Sequence, residues 1–519
     1  MSASQRVLLL GEVSPECAGA LAAAGLCVDD GASWDAAEVL GRAADYDALV
    51  VGPSEPVSAA LLHAACRLSV VARAGSGVEG IDIAEAGRRG VVVTHACGSD
   101  VEARAEQTLA LLFACARGLA QADAGLRDAG SRTGAGGSGD AVELRGKTLG
   151  LAGADDSSPA LADAAQALRM AVVACGEARE TAALPADSCG SDEVYAAADF
   201  LVAVAGAEVL GEDAFTRVKT GARLVAPAAA VEVPALARAL EEGRVAAVAL
   251  GVGPADDEAV EALSGTAGVM FYDPGAAVTR DARVRAAVAA AEAVASVLRG
   301  EFPAGAVNVP VAAGDDAAEL MPYVGLCDQL GRLLVQLSGG PVDAVDITYG
   351  GSVAYFDTGL LTLGVLGGLL AGRVDGPVNF VNAQDHAQAL GVTATEHRQS
   401  EIPDYPRLIT LAADDVSVSG TSLGPEHKPR LVRVFGEDVD IEPAQHMAFL
   451  RYHDAAGIGG KVGTLLGEWR VNIAHMSVGR GRRGDEAVMA LTLDQPLTPA
   501  QAADLVLRCG LLYARSVEL

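Results

Sequence analysis

The sequence predicts an α/β fold of two layered lobes, followed by an α+β unit and a small βαββαβ unit. Three observations lead there. Over the first 300 residues, short β-branched runs alternate with Ala-rich helical stretches. A Gly-rich break, Gly130–Asp140, divides that alternation in two. From Met447 onward the pattern is strand, helix, strand, strand, helix, strand.

The strand candidates are Val7–Leu10, Ala48–Val51, Val70–Ala72 and Val91–Thr94, then Thr148–Leu151, Ala171–Ala174, Phe200–Val204, Arg223–Ala226, Ala246–Leu250 and Val269–Tyr272. Each is too short for a helix and lacks strict alternation, as strands buried on both faces of a parallel sheet do. Ten of them exceed one ordinary sheet. Stretches such as Pro159–Leu168 and Pro234–Glu242 supply crossover helices, with proline suited to the first turn. A long helical pattern, Val101–Leu126, feeds GSRTGAGGSGD, which cannot bury a core and reads as a linker or loop. The expected result is two Rossmann-like lobes with a cleft between them. An Ala-rich helix from Arg285 to Leu298 and an extended exit at Asn308–Pro310 end this part. Met321–Asp440 has α+β character, with a hairpin of Val416–Leu423 and Leu431–Phe435. The last unit is the ferredoxin-like arrangement.

Composition narrows the function classes. A chain of 519 residues suggests about three or four domains. With aromatics at 4%, the core is built from Ala, Val and Leu. A formal charge of −30 repels phosphate backbones and anionic lipid, which argues against nucleic acid and membrane as partners. No apolar run reaches the roughly 20 residues of a membrane helix. The start, MSASQRVLLLGEV, does not read as a signal peptide, so a cytoplasmic location is expected. The nine cysteines form no CxxC pair, so reduced thiols and no metal site are expected.

Several stretches carry a family resemblance. They are VVARAGSGVEGIDI (Val70–Ile83), RGKTLGLAG (Arg145–Gly153), RGEFPAGAVNVP (Arg299–Pro310), NFVNA (Asn379–Ala383), SVSGTSLGP (Ser417–Pro425) and RYHDAAGIGGKVGTLLGEWRVNI (Arg451–Ile473). Together they resemble the D-3-phosphoglycerate dehydrogenase family of serine biosynthesis, within the D-2-hydroxyacid dehydrogenases. The resemblance is to the long form, with an intervening domain and a C-terminal ACT domain. It implies a discontinuous substrate lobe (1–98 and 286–312) and a nucleotide-binding lobe (99–285). An intervening domain (313–445), akin to an allosteric substrate-binding domain, and an ACT domain (446–519) follow. It also implies NAD as cofactor and a homo-oligomer.

The nucleotide loop departs from GxGxxG, whose glycines allow a tight turn and close approach of pyrophosphate. After Thr148–Leu151 come Gly153, Ala154, Asp155, Asp156, Ser157 and Ser158. Only the first glycine remains, and two carboxylates would repel a pyrophosphate if poorly screened. Gly153 and Ser158 are the cofactor-binding candidates left. The ribose-binding acid falls at Gly176, and Glu177 either replaces it or is an ordinary solvated residue.

Oxidising a 2-hydroxy acid takes a base for the hydroxyl proton and a cation for the carboxylate. The resemblance places a His near Pro274, but no histidine occurs between His95 and His386. It places an Arg after Arg223–Ala226, but no Arg or Lys lies from Leu224 to Ala237. The supporting Glu falls near Asp256, and a phosphate-binding Arg is replaced by Gly52. Weak substitutes are Asp256, Tyr272 and Arg73, with Asp273 and His95 nearby in pattern. A tyrosine base needs a cationic neighbour to lower its pKa. The alternative is that all of these are packing or rim residues.

In the tail, the resemblance implies a serine site between two ACT domains of different subunits, using Tyr452, Asp454 and Asn472, with Gly457 allowing close approach. A carboxylate suits a ligand ammonium, and Asn472 both donates and accepts. Alternatively Asp454 caps the helix and Asn472 ends a loop. In the intervening domain His427, Lys428 and Arg430, with Arg433, form a basic cluster that either binds an anion or pairs with Asp438 and Asp440. The expectation is a non-catalytic member that senses a serine-like amino acid, as a homo-oligomer or mixed with an active homologue. The alternative is a working NAD-dependent dehydrogenase with a rebuilt site.

Overall fold

The computed structural model describes residues 5–127, 141–176, 181, 184–204, 208–301, 303, 305–309, 315–374, 378–402, 404–424, 427–480 and 486–519. The Gly-rich stretch Gly130–Asp140 and the candidate Glu177 lie outside the described residues.

The apolar runs form strands in four sheets. In the first, β1 (Arg6–Leu10), β2 (Cys27–Asp30), β3 (Ala48–Val51), β4 (Val70–Arg73) and β5 (Val92–His95) lie in the order β2-β1-β3-β4-β5, all parallel. The helix Arg280–Leu298 packs its alanines on this sheet. In the second, β6 (Thr148–Ala152), β7 (Ala171–Cys175), β8 (Asp187–Ser188), β9 (Phe200–Ala203), β10 (Ala222–Pro227), β11 (Val245–Gly251) and β12 (Val269–Tyr272) lie in the order β12-β11-β10-β9-β6-β7-β8. That is the doubly wound order, with its switch point between β6 and β9. The ten expected strands are present. The two unexpected ones, β2 and β8, are edge strands of sequence CVDD and DS, without the apolar run that marks a buried strand.

The third sheet is mixed: β13 (Ala344–Gly351), β14 (Thr393–Gln399), β15 (Arg407–Ala413), β16 (Val416–Leu423), β17 (Lys428–Val434) and β18 (Glu437–Ile441), in the order β14-β13-β15-β16-β17-β18. Helices Asp315–Ser338 and Gly359–Leu370 pack against it. Among the described residues, no single helix is long and apolar enough to cross a membrane. The NFVNA stretch docks this unit on the first sheet. Asn379 Nδ2 donates to the Gly90 carbonyl at 2.6 Å. Gly90 has φ +71°, and a Cβ there would meet Asn382 at 2.7 Å. Asn308 accepts from Val93 N and donates to the Val91 carbonyl, both at 2.8 Å.

The fourth sheet holds β19 (His446–His453), β20 (Ile473–Arg480), β21 (Glu486–Leu493) and β22 (Tyr513–Glu518), antiparallel in the order β20-β21-β19-β22. Helices Ile458–Glu468 and Pro499–Cys509 join its βαββαβ sequence. One face, with Ala448, Leu450 and Met489, packs under these helices. The other face, with Met447, Phe449, Val488 and Val517, enters the core of the third sheet. The tail is thus built into its neighbour. Strand β20 approaches β18 so closely that a Cβ at Gly479 would lie 2.1 Å from the Asp438 carbonyl oxygen. Ser477 Oγ accepts from Asp440 N at 3.0 Å in the same contact. Gly479→Ala therefore overpacks the junction and is expected to cost about 2 kcal/mol. A melting temperature equal to wild type would show that the junction yields.

Candidate functional site

In doubly wound sheets, ligands bind outside the carboxyl ends of the strands. Two loops meet the space between the first and second sheets from those ends: Gly75–Ser76–Gly77 after β4, and Gly153–Ser158 after β6. A polar bridge joins them. Ser76 Oγ donates to Asp100 at 3.0 Å. Arg104 Nε stands 3.4 Å from the other Asp100 oxygen, an ionic contact without hydrogen-bond geometry. Its Nη1 donates to Asp155 at 2.8 Å, and its Nη2 to Asp156. Burial works against the Arg104 charge, but Asp156, Asp155 and Asp100 outweigh it and raise the guanidinium pKa. Arg104 gave no sign in the sequence because it sits in the middle of a helical pattern. Only the fold aims it at the loop.

The loop itself is internally bonded. Gly153 turns at φ +87°. The Asp155 carboxylate accepts from Ser157 N at 2.9 Å, Ser157 Oγ at 2.7 Å and Ser158 Oγ at 3.1 Å. Ser158 Oγ also accepts from Asp155 N at 2.9 Å, and Ser158 N donates to the Asp155 carbonyl at 3.1 Å. These are the donors at the start of the helix Ser158–Ala167 that a pyrophosphate would use. The two carboxylates are not left facing each other unscreened, since Arg104 holds both. The screening is partial: the bridge sets three carboxylates against one guanidinium.

The other catalytic candidates are engaged elsewhere. Arg73 is 1% exposed and donates to the backbone carbonyls of Pro53 and Glu55, the latter at 3.0 Å. Burial lowers its pKa, against Glu79 and Glu55. Asp256 accepts from Gly253 N at 2.8 Å and closes the turn before the helix Asp257–Leu263. Burial pushes the Tyr272 phenol up, opposite to what a base needs. Its ring lies on Gly251, where a Cβ would come within 2.8 Å of the hydroxyl. Asp273 accepts from Gly275 N at 2.8 Å. His95 Nδ1 accepts from Gly77 N at 3.3 Å, at the edge of the bridge.

A family model for the catalytic domain of D-isomer specific 2-hydroxyacid dehydrogenases matches residues 7–308. The chain belongs to that family. A second model, for the intervening domain of D-3-phosphoglycerate dehydrogenase, matches residues 319–435 of this 2-hydroxyacid dehydrogenase relative. A D-3-phosphoglycerate dehydrogenase of Bacillus subtilis is 31% identical over 87% of the chain and 88% of its own length. One of Archaeoglobus fulgidus is 30% identical over 99% of the chain and 100% of its own length. A solved 2-hydroxyacid dehydrogenase of Ketogulonicigenium vulgare covers 59% of the chain and 98% of its own, with a TM-score of 0.50 and 19% identity, a likeness of fold.

In the tail, Asp454 does not cap the helix Ile458–Glu468; Gly457, at φ +92°, holds that position without a side-chain bond. Asp454 instead pairs with Arg480 at 3.7 Å. Tyr452 is 4% exposed in the core under the helices, and burial together with Asp454 raises its phenol pKa. Asn472 donates to Asp494 at 3.0 Å. Register places Tyr452 beside Ala487 and thence Arg480, whereas Ile473 pairs with Leu493. Asp454 and Asn472 thus lie at opposite ends of the sheet, roughly 25 Å apart along an eight-residue strand.

The basic cluster divides. Arg430 donates to Asp440 at 2.8 and 2.6 Å, and Arg433 to Asp438 and Asp404 at 2.8 and 2.6 Å. His427, at φ +50°, and Lys428 are exposed at the β16–β17 turn. The two arginines are used in pairing, as the second of the two readings has it. Among the described residues, no group of three or more His, Cys, Asp or Glu is arranged to hold a metal.

Proposed function

We propose that this chain is a family member without hydride transfer, retained as a scaffold with an amino-acid-sensing ACT tail. The observation that carries the reading is the bridge from Ser76 through Asp100 and Arg104 to Asp155 and Asp156. The Asp155 carboxylate takes Ser157 N and both serine hydroxyls, the Asp155 carbonyl takes Ser158 N, and the remaining negative charge opposes a dinucleotide. NAD does not fit the loop as it stands. The residues that would carry a rebuilt reaction, Asp256, Tyr272 and Arg73, serve a turn, a packed ring and a backbone loop. The purified chain, given NAD+ with D-3-phosphoglycerate, or NADH with a 2-keto acid, is expected to show no turnover above the blank. Turnover that disappears with Tyr272→Phe or His95→Ala would establish the opposite reading.

The sensing half rests on chemistry at one end of the tail. Asp454 and Arg480 set a carboxylate beside a guanidinium, the two charges that an α-amino acid's ammonium and carboxylate require. The separation of Asp454 from Asn472 means that one protomer cannot hold both against one ligand. β20 is an edge strand with Met476 and Val478 exposed. Antiparallel pairing of two such edges about a two-fold axis would bring Asp454 of one copy toward Asn472 of the other. A serine-like amino acid and a homo-oligomer, or a mixed oligomer with an active homologue, follow from that arrangement.

A further inference from the structure

We propose that a pocket at the carboxyl edge of the first sheet binds a small amino-dicarboxylic acid. The pocket has a volume of about 330 Å³ and is lined by Glu12, Ser14, Pro53, Ala74, Arg280 and Arg283, among others. Its walls are the loops after β1, β3 and β4. It therefore sits at the topological switch point of the sheet, between β1 and β3, where ligands of such sheets are received. The volume is in the range of small-molecule sites. None of the residues of the Ser76–Asp155 bridge lines it, and it stands apart from the tail.

Charge makes the case. Arg280 and Arg283 lie three apart in the first turn of the helix Arg280–Leu298, on one face and without the ion pair that most arginines of this acidic chain have. Among the described residues neither makes a hydrogen bond or ion pair; Arg280 acts on Glu16 only at longer range. Like charges at this spacing disfavour each other, and the start of the helix adds partial positive charge. Glu12 lines the same pocket without closing on either guanidinium, so space remains between opposite charges. Two cations and one carboxylate complement a ligand with two negative groups and one amine. The wall is held in place beforehand: Arg73, buried behind it, donates to the carbonyls of Pro53 and Glu55.

The test is isothermal titration of the full chain carrying Asp454→Ala, which silences the tail, with L-aspartate, succinate and inorganic phosphate as probes. L-aspartate is expected to bind at least tenfold more tightly than succinate or phosphate. Arg280→Ala with Arg283→Ala, both exposed positions, should weaken L-aspartate at least tenfold. Glu12→Gln should remove the preference over succinate. No heat with L-aspartate, binding insensitive to the arginine pair, or equal binding of succinate would each overturn the proposal. None of these outcomes bears on NADH binding or turnover.

Discussion

Replacing Asp155→Gly and Ser158→Gly together is expected to give a chain that binds NADH, read by NADH fluorescence, where the unaltered chain is expected to leave that fluorescence unchanged. The double substitution rebuilds the GxGxxG spacing from Gly153. It removes the carboxylate that occupies Ser157 N and reduces the bridge to two carboxylates against Arg104. A unit charge at about 4 Å from a phosphate is worth about 4 kcal/mol at an effective dielectric near 20. Partial screening by Arg104 lowers the useful share to about 2–3 kcal/mol, or on the order of a hundredfold in affinity. Fluorescence titration checks this. Tight NADH binding by the unaltered chain would defeat the argument from the loop, and so would a double variant that still ignores NADH while staying folded. Arg104→Ala gives the complementary result. It leaves Asp155 and Asp156 without their cation and should lower stability by about 1–2 kcal/mol, seen as a lower melting temperature.

L-serine is expected to raise the melting temperature of the wild-type chain, and Asp454→Ala or Asn472→Ala to abolish the rise. A ligand at a hundred times its Kd adds about 2.7 kcal/mol to the folded state. In a chain of this size that is a shift of several degrees. The distance between the two side chains within one protomer supplies a sharper measurement. Mixing the two single variants under subunit exchange should restore part of the shift, because one of the two shared sites then regains both groups. If the mixture stays unresponsive while wild type responds, the two-fold arrangement is wrong. If no small amino acid moves the wild type, the sensing role fails.

Much of this was legible from the chain alone. Runs such as Val70–Val71–Ala72 have no polar face, so they belong to parallel sheets covered on both sides. The strands that escaped, β2 and β8, are short polar edges, held by one neighbour each and without an apolar signature. That no histidine stands near Pro274 and no Arg or Lys after β10 is legible because chemistry demands particular residue types at particular strand ends. The sequence alone also placed two carboxylates where a phosphate should approach.

Tertiary structure decided what those carboxylates do. Arg104 is 51 residues from Asp155 in sequence, and only the packing of its helix against the second sheet makes the pair. Arg433 likewise reaches Asp404, 29 residues back, whereas its pairing with Asp438 and that of Arg430 with Asp440 cross the short β17–β18 turn and were one of the two readings of the sequence. In the tail, the family resemblance named Asp454 and Asn472 together, and strand register set them at opposite ends of one sheet. Local pattern fixes element type because burial acts residue by residue along a strand or helix. Which charges meet depends on contacts between segments far apart in sequence, and periodicity carries no record of those.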